Sequence, residues 1–159
     1  GHIGMDVVHL LQPFNCRVLI CDLLDKRGVV DTYGATQVPM DELLAEADVV
    51  SLHVPLTELT QSMVTEVFLQ KMKPNAYLIN NSRGPVVNQK ALKNALQEKI
   101  IAGAALDVFE VEPPEDLEFL ALPNLMVTPH IGGNANEAVL AMGSSAIGHL
   151  KEYFLDSNT

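Results

Sequence analysis

Short apolar runs alternate along this chain with segments whose apolar residues return every three or four positions. Five runs read as strands: residues 17–21 (RVLIC), 49–53 (VVSLH), 76–79 (AYLI), 103–108 (GAALDV) and 125–128 (LMVT). They are continuously aliphatic or β-branched, which predicts strands covered on both faces, and so a parallel sheet with helices on each side. Helical periodicity falls between them, at residues 5–11, 40–46, 64–72, 89–99 and from about 136 to 154.

Boundary residues agree with this division. Asn15 tolerates the left-handed conformation that ends a helix. Asp41 opens a short acidic helix, Pro74-Asn75 stops the one before the third run, and Asn88 can cap the helix that carries Lys90, Lys93 and Lys99. Residues 110–124 hold three prolines and five carboxylates and read as a loop. The methionines (Met5, Met40, Met63, Met72, Met126, Met142) read as core filler, and His9 and His149 as half-buried structural residues. Such alternation predicts a doubly wound α/β domain.

Composition narrows the partners. With 159 residues and 48% apolar content, one domain with a real core is expected. The net charge of -10 and the scattered lysines argue against nucleic acid, whose phosphates need basic clusters. Cys16 and Cys21 sit at the ends of a strand-like run, on opposite faces, and read as buried free thiols in a reducing compartment. With no signal peptide and no 18-residue apolar run, the expectation is a cytoplasmic chain without a membrane partner. No His/Cys/Asp/Glu cluster has metal-ligand spacing.

The first residues, GHIGMDVVHLL, have the form of the tail of a G-x-G-x-x-G dinucleotide fingerprint, without its first glycine or its preceding strand. Gly1 would let the backbone approach a pyrophosphate, and Gly4 would let the helix pack close to a strand. The N–H groups of His2, Ile3 and Gly4 would face the phosphates. Asp22 lies 18 positions after Gly4, at the end of the next strand, where a carboxylate accepts from ribose hydroxyls and repels a 2′-phosphate. That favours NAD over NADP, although Lys26 and Arg27 stand close by. An ordinary glycine turn is the competing reading of GxxG. The first strand of such a sheet is central, so its absence leaves the second and fourth strands each without a neighbour and with bare backbone groups, and predicts a 159-residue chain that is not stable alone as a monomer with an intact sheet.

The stretch LINNSRGPVV puts Arg83, one of three arginines, at the carboxyl end of a buried strand on a stiff Gly84-Pro85 turn. Two readings are open from position alone: a surface ion pair, or a fork for a ligand carboxylate. Asp107, with Glu110 and Glu112 beyond it, ends the next run; His130, between Pro129 and Gly132-Gly133, follows the last. Arg, Glu and His from successive strand ends make a set for a 2-oxo acid. Arg83 holds the carboxylate and polarises the carbonyl, His130 donates the proton, and Glu112 orients His130 and keeps it charged.

These motifs together (GHIG, Asp22, LHVPLTELT, NNSRG, GAALDVFEVEP and TPHIGG) resemble the nucleotide-binding domain of the D-isomer-specific 2-hydroxyacid dehydrogenases, from Gly1 to about Leu150. The resemblance implies a Rossmann-like fold whose first strand is missing, NAD as cofactor and a D-2-hydroxy or 2-oxo acid as substrate. It implies a homodimer, with Arg83, Glu112 (not Glu110) and His130 catalytic. It also puts Asp107 near the nicotinamide carboxamide, His53, Val54 and Pro55 beside the adenosine with Thr57 and Thr60 following, and Ser82 at the nicotinamide. Gly132 falls within TPHIGG and is expected at the cofactor. Residues 1–150 would be the NAD-binding domain, and 151–159 the end of a helix leading back to an absent substrate domain, so the fragment alone is expected to be inactive. The departures are Asn134 where Ser is common, Pro13 in a helical context, and the truncation itself. Related corepressors use the same fold as NAD-responsive dimerisation and binding modules and can keep the same three residues, so that alternative stays open.

Overall fold

The computed structural model describes residues 1–155; residues 156–159, part of the segment expected to lead to a substrate domain, lie outside the described residues. Helices and strands alternate: α1 (His2–Leu10), β1 (Leu19–Ile20), α2 (Arg27–Tyr33), β2 (Thr36–Gln37), α3 (Met40–Glu46), β3 (Val49–Leu52), α4 (Glu66–Lys71), β4 (Tyr77–Asn80), α5 (Gln89–Gln97), β5 (Gly103–Leu106), α6 (Leu117–Leu120), β6 (Leu125–Val127) and α7 (Asn136–Leu155). All strand pairs are parallel.

The sheet is divided. β1 pairs with β2, and a separate sheet runs β3-β4-β5-β6. In the larger sheet the carboxyl ends line up: Leu52 opposite Asn80, Asn80 opposite Leu106, and Leu106 opposite Val127. The turns after β4, β5 and β6 therefore leave one edge, at neighbouring strand spacings of about 4.8 Å.

Local chemistry explains most of the boundaries. Asn15 does adopt the left-handed conformation, with φ 52°. Asn88 caps α5 by accepting from Ala91 N, and Thr65 caps α4 by accepting from Phe68 N. α1 begins earlier than its apolar pattern, at His2, with Gly1 in front and no side chain capping it. α2 and β2 were not visible as periodic segments, because each is short. The expected loop at 110–124 contains α6, which Asp116 caps by accepting from Phe119 N while holding Lys93.

Two covered faces are seen at β5, where Gly103, Ala104 and Leu106 are buried and Ala105 is half-buried, but the second face is only partly covered at β3 and β4. Along β3 and β4, Val50, Leu52, Leu78 and Asn80 are buried while Val49, Ser51 and Tyr77 are exposed. The buried face packs on α3, α4 and α5 around Leu44, Phe68, Leu69, Leu92 and Leu96. The opposite face stays open at Val49, Ser51 and Tyr77, where α1 and α2 pack instead around Val8, Val29 and Ala35 beside the smaller sheet and α7 buries none of its residues. For the same reason Met5, Met126 and Met142 are exposed rather than core filler, whereas Met72 is buried. Cys16 precedes β1 and is exposed, not buried; Cys21 is half-buried. His9 and His149 are exposed, and His9 stacks at 5.7 Å on Tyr33. No described helix is long and apolar enough to cross a membrane.

Candidate active site at the carboxyl edge of the sheet

Asn80, the last residue of β4, is fully buried, and its side chain ties the turn that follows. Its amide donates to Arg83 O (3.0 Å), and its Oδ1 accepts from Ser82 N (3.0 Å) and Ser82 Oγ (2.8 Å). Arg83 is exposed. Its Nη1 donates to Ser82 O at 2.7 Å, and no carboxylate pairs with it among the described residues. The reading of Arg83 as a surface ion pair therefore falls away.

Asp107 follows β5 and is 6% exposed. Its Oδ1 accepts from Thr128 Oγ1 and Ile131 N (2.9 Å), and its Oδ2 accepts from Gly132 N (2.8 Å). Burial pushes this carboxyl up, but the bonds from Thr128, Ile131 and Gly132, with the nearby His130, outweigh it and hold the group below its ordinary value. The bonds latch the loop that carries His130, whose backbone is left-handed at φ 54°. That conformation is unfavourable for a non-glycine residue by about 1–2 kcal/mol and persists where neighbours over-determine it. Gly132 belongs to the latch, since a Cβ there would lie 2.9 Å from Asp107 Oδ2.

His130 Nδ1 meets Glu112 Oε2 at 2.7 Å, and Glu112 Oε1 accepts from Phe109 N at 3.0 Å. The His130 contact, then the Phe109 N–H, lower the Glu112 carboxyl against a smaller effect of burial. Glu112 is thus an anion fixed at both oxygens, and it leaves Nε2 of His130 as the ring nitrogen free to exchange a proton. Glu110 is exposed and makes no such contact.

Beside the end of β3, the first N–H groups of α1 lack helical partners and a side-chain cap, so the N–H groups of His2, Ile3 and Gly4 are available to an anion. Gly1 and Ile3 are exposed; a Cβ on Gly4 would lie 3.3 Å from His53 Cβ, so α1 starts close against the end of β3. His53 is half-buried beside Ser51 Oγ (3.0 Å), and burial lowers its pKa. Val54 packs on the core, and Thr60 closes the following loop, donating to Pro55 O (2.6 Å) and accepting from Thr57 N (2.8 Å). Asp22 accepts from Leu24 N (2.9 Å) and pairs with Lys26 at 3.2 Å; these contacts lower its carboxyl, the Leu24 N–H most. Arg27 is drawn away to Asp25. The bare helix end, the Asp22 carboxylate at the end of β1 and the close Gly4 contact are groups that could hold a dinucleotide.

A different hollow, of about 580 Å³ and lined by Pro74, Leu96, Lys99, Ile101 and Pro123 among others, lies at the amino ends of the strands and includes none of these groups.

A family model for "D-isomer specific 2-hydroxyacid dehydrogenase, NAD binding domain" matches residues 1–132. The chain belongs to that family. Among dehydrogenase relatives, it is 46% identical to a glyoxylate reductase of Korarchaeum cryptofilum over 86% of this chain and 42% of that protein. It is 38% identical to a D-3-phosphoglycerate dehydrogenase of Methanocaldococcus jannaschii over 96% of this chain and 29% of that one. Among solved structures, the D-lactate dehydrogenase of Aquifex aeolicus complexed with NAD and lactic acid superposes with a TM-score of 0.86 at 32% identity, covering 96% of this chain and 50% of that one. The chain thus spans about half the length, or less, of the dehydrogenases it matches.

Several residues of the NAD-binding domain were missed by sequence reasoning. Asn80 was a legible signal, a carboxamide ending a buried apolar run. Thr128 and the Phe109 N–H were not, because their partners come from other strands. Gln37 holds the Asp22 loop through Leu24 O (2.9 Å) and Lys26 N (2.8 Å), and nothing in its own surroundings marks it.

Proposed function

We propose that the whole protein is an NAD-dependent oxidoreductase interconverting a small D-2-hydroxy acid and its 2-oxo acid. The observation that carries this is a carboxylate-oriented imidazole opening on the same sheet edge as a guanidinium with no carboxylate partner. Arg83 takes the substrate carboxylate in a bidentate fork. His130 donates its Nε2 proton to the carbonyl oxygen as the carbonyl carbon is reduced, and takes it back in the reverse direction. Glu112 stabilises the imidazolium and fixes the ring. Bound NADH supplies the hydride. His2, Ile3 and Gly4 offer backbone N–H groups to its pyrophosphate, with Gly1 leaving room, and Asp22 takes the ribose hydroxyls. His53, Val54, Pro55 and Thr60 line the adenosine side, and Ser82, Asp107 and Gly132 the nicotinamide side.

The names of the relatives support a small 2-oxo acid such as glyoxylate as substrate. The resemblance also supports a cytoplasmic homodimer, and both cysteines are free thiols, as a reducing compartment requires. The test is NADH oxidation by the whole protein across glyoxylate, pyruvate and hydroxypyruvate. Turnover is expected with at least one, and His130→Gln is expected to lower kcat by about 10²–10⁴-fold. Activity that survives combined replacement of Arg83, Glu112 and His130 would refute the assignment.

A further inference from the structure

Gly84 follows Arg83 and opens a single 3₁₀ turn, Gly84–Val86. It is buried, and its backbone is not in the left-handed region. A glycine is therefore not needed here for its dihedral angles. The reason is space: a Cβ at this position would lie 1.7 Å from Phe109 O, 1.9 Å from Phe109 C and 2.6 Å from Glu110 N. All three atoms are backbone, so no side-chain rotation relieves the clash. The void left between this turn, Val108, Phe109 and Phe119 is only about 10 Å³, too small to take up the displacement.

The peptide that Gly84 touches belongs to the residue that holds the acid/base pair. Phe109 N donates to Glu112 Oε1, and Glu112 Oε2 meets His130. From the other side, Asn80 fixes the Arg83 carbonyl, one peptide before Gly84, while its own carbonyl accepts from Asp107 N at 3.1 Å. The Arg83 turn and the turn from Phe109 to Glu112 are thus packed backbone to backbone.

We infer that Gly84 is a positioning residue for Glu112: its bare Cα lets the turn carrying the carboxylate clamp sit directly on the turn that aims the acid/base pair, so that the two hold one geometry. This rests on the reading of Arg83, Glu112 and His130 as the reacting groups. An added methyl must move the turns apart by more than 1 Å to reach even the 3.0 Å below which real Cβ atoms essentially never approach a neighbour. A misplacement of about 1 Å in such a constellation costs about 10²-fold in rate.

The test is a double-mutant cycle in the whole protein, reading kcat and the NADH dissociation constant. Gly84→Ala is expected to lower kcat by about 10²-fold and to weaken NADH binding by much less, since the atoms nearest its Cβ are the Phe109 and Glu110 backbone and not the α1 N–H groups or Asp22. In a Glu112→Gln background the same change is expected to cost less than about threefold, because the group it acts through is already disabled. If Gly84→Ala does not fold, Asn80→Ala loosens the same turn without adding an atom and is expected to show the same loss of additivity. The inference is overturned if Gly84→Ala keeps kcat within about twofold, or if the losses multiply with Glu112→Gln for the variant that folds. If Glu112→Gln alone leaves turnover intact, the reading of the site fails and this inference with it. If Glu112→Gln abolishes turnover and the effects still multiply, only the coupling through Gly84 fails.

Discussion

Among the described residues, three buried ones, Val8, Val29 and Ala35, form the core around β1 and β2; around β3 to β6, nineteen do. Both units follow the same strand–helix–strand rule. The smaller one offers the bare helix end of α1 and the Asp22 carboxylate, groups suited to gripping a ligand. The larger one carries Arg83, Glu112 and His130 on turns braced by Asn80 and Asp107. Binding groups tolerate a shallow core because backbone N–H groups and an exposed carboxylate act over a broad range of geometry. The proton transfer proposed above would require reacting atoms held within fractions of an ångström, and the deeper core supplies such rigidity.

The comparison is sharpest in the cores. Phe119→Ala empties a fully buried site and is expected to destabilise the larger unit by about 3–5 kcal/mol. Val29→Ala removes two methyl groups from the smaller core, for about 1–2 kcal/mol. Amide hydrogen exchange of the whole protein reads both, and amides of α1, α2, β1 and β2 are expected to exchange before those of β4 and β5 even without substitution. Equal protection in the two units would remove the contrast.

A second contrast lies in two aspartates. Asp107→Asn turns an amide toward the N–H groups of Ile131 and Gly132 and should cost about 1–3 kcal/mol. Asp22→Asn, at an exposed site, should stay within about 0.5 kcal/mol. The sign with pH follows from the depressed carboxyls. A folded-state pKa below the unfolded one contributes stability above the unfolded value, about 4 for a carboxylate, and that stability is lost as pH falls through the folded pKa. Acid titration followed by amide exchange is therefore expected to loosen residues 128–132 below about pH 4, and Asp107→Asn to remove that step.

The smallest effect concerns helix ends. Asn88→Ala should remove a cap from α5 and cost about 1 kcal/mol by urea denaturation. α1, which starts without a side-chain cap, should instead gain protection of its first amides when NADH binds the whole protein.

Much of this was legible from local chemistry. The strand-like runs, the left-handed Asn15, the Asn88 cap and the start of α3 at Met40 depend on contacts within a few residues. β2 and α2 escaped notice because two strand residues and two helical turns carry too little periodicity. The continuous apolar runs indicated burial on both faces, yet Val49, Tyr77 and Met126 lie on an open face; hydrophobicity records a tendency to be covered and does not name what covers it. For the site, residue types and strand-end positions pointed to Arg83, His130 and a glutamate that the family resemblance narrowed to Glu112, but the braces did not show, because they join segments far apart in the chain.

The sequence by itself determined the parallel α/β class, the turn residues at the strand ends and the charged groups placed there, since these follow from short-range preference and periodicity. Tertiary structure alone decided that Glu112 meets His130, that Asp107 latches the loop behind it and that Gly84 lies against the Phe109 peptide. Those contacts depend on the register of β4, β5 and β6, and a shift of one residue in any of them would turn the same side chains to the other face.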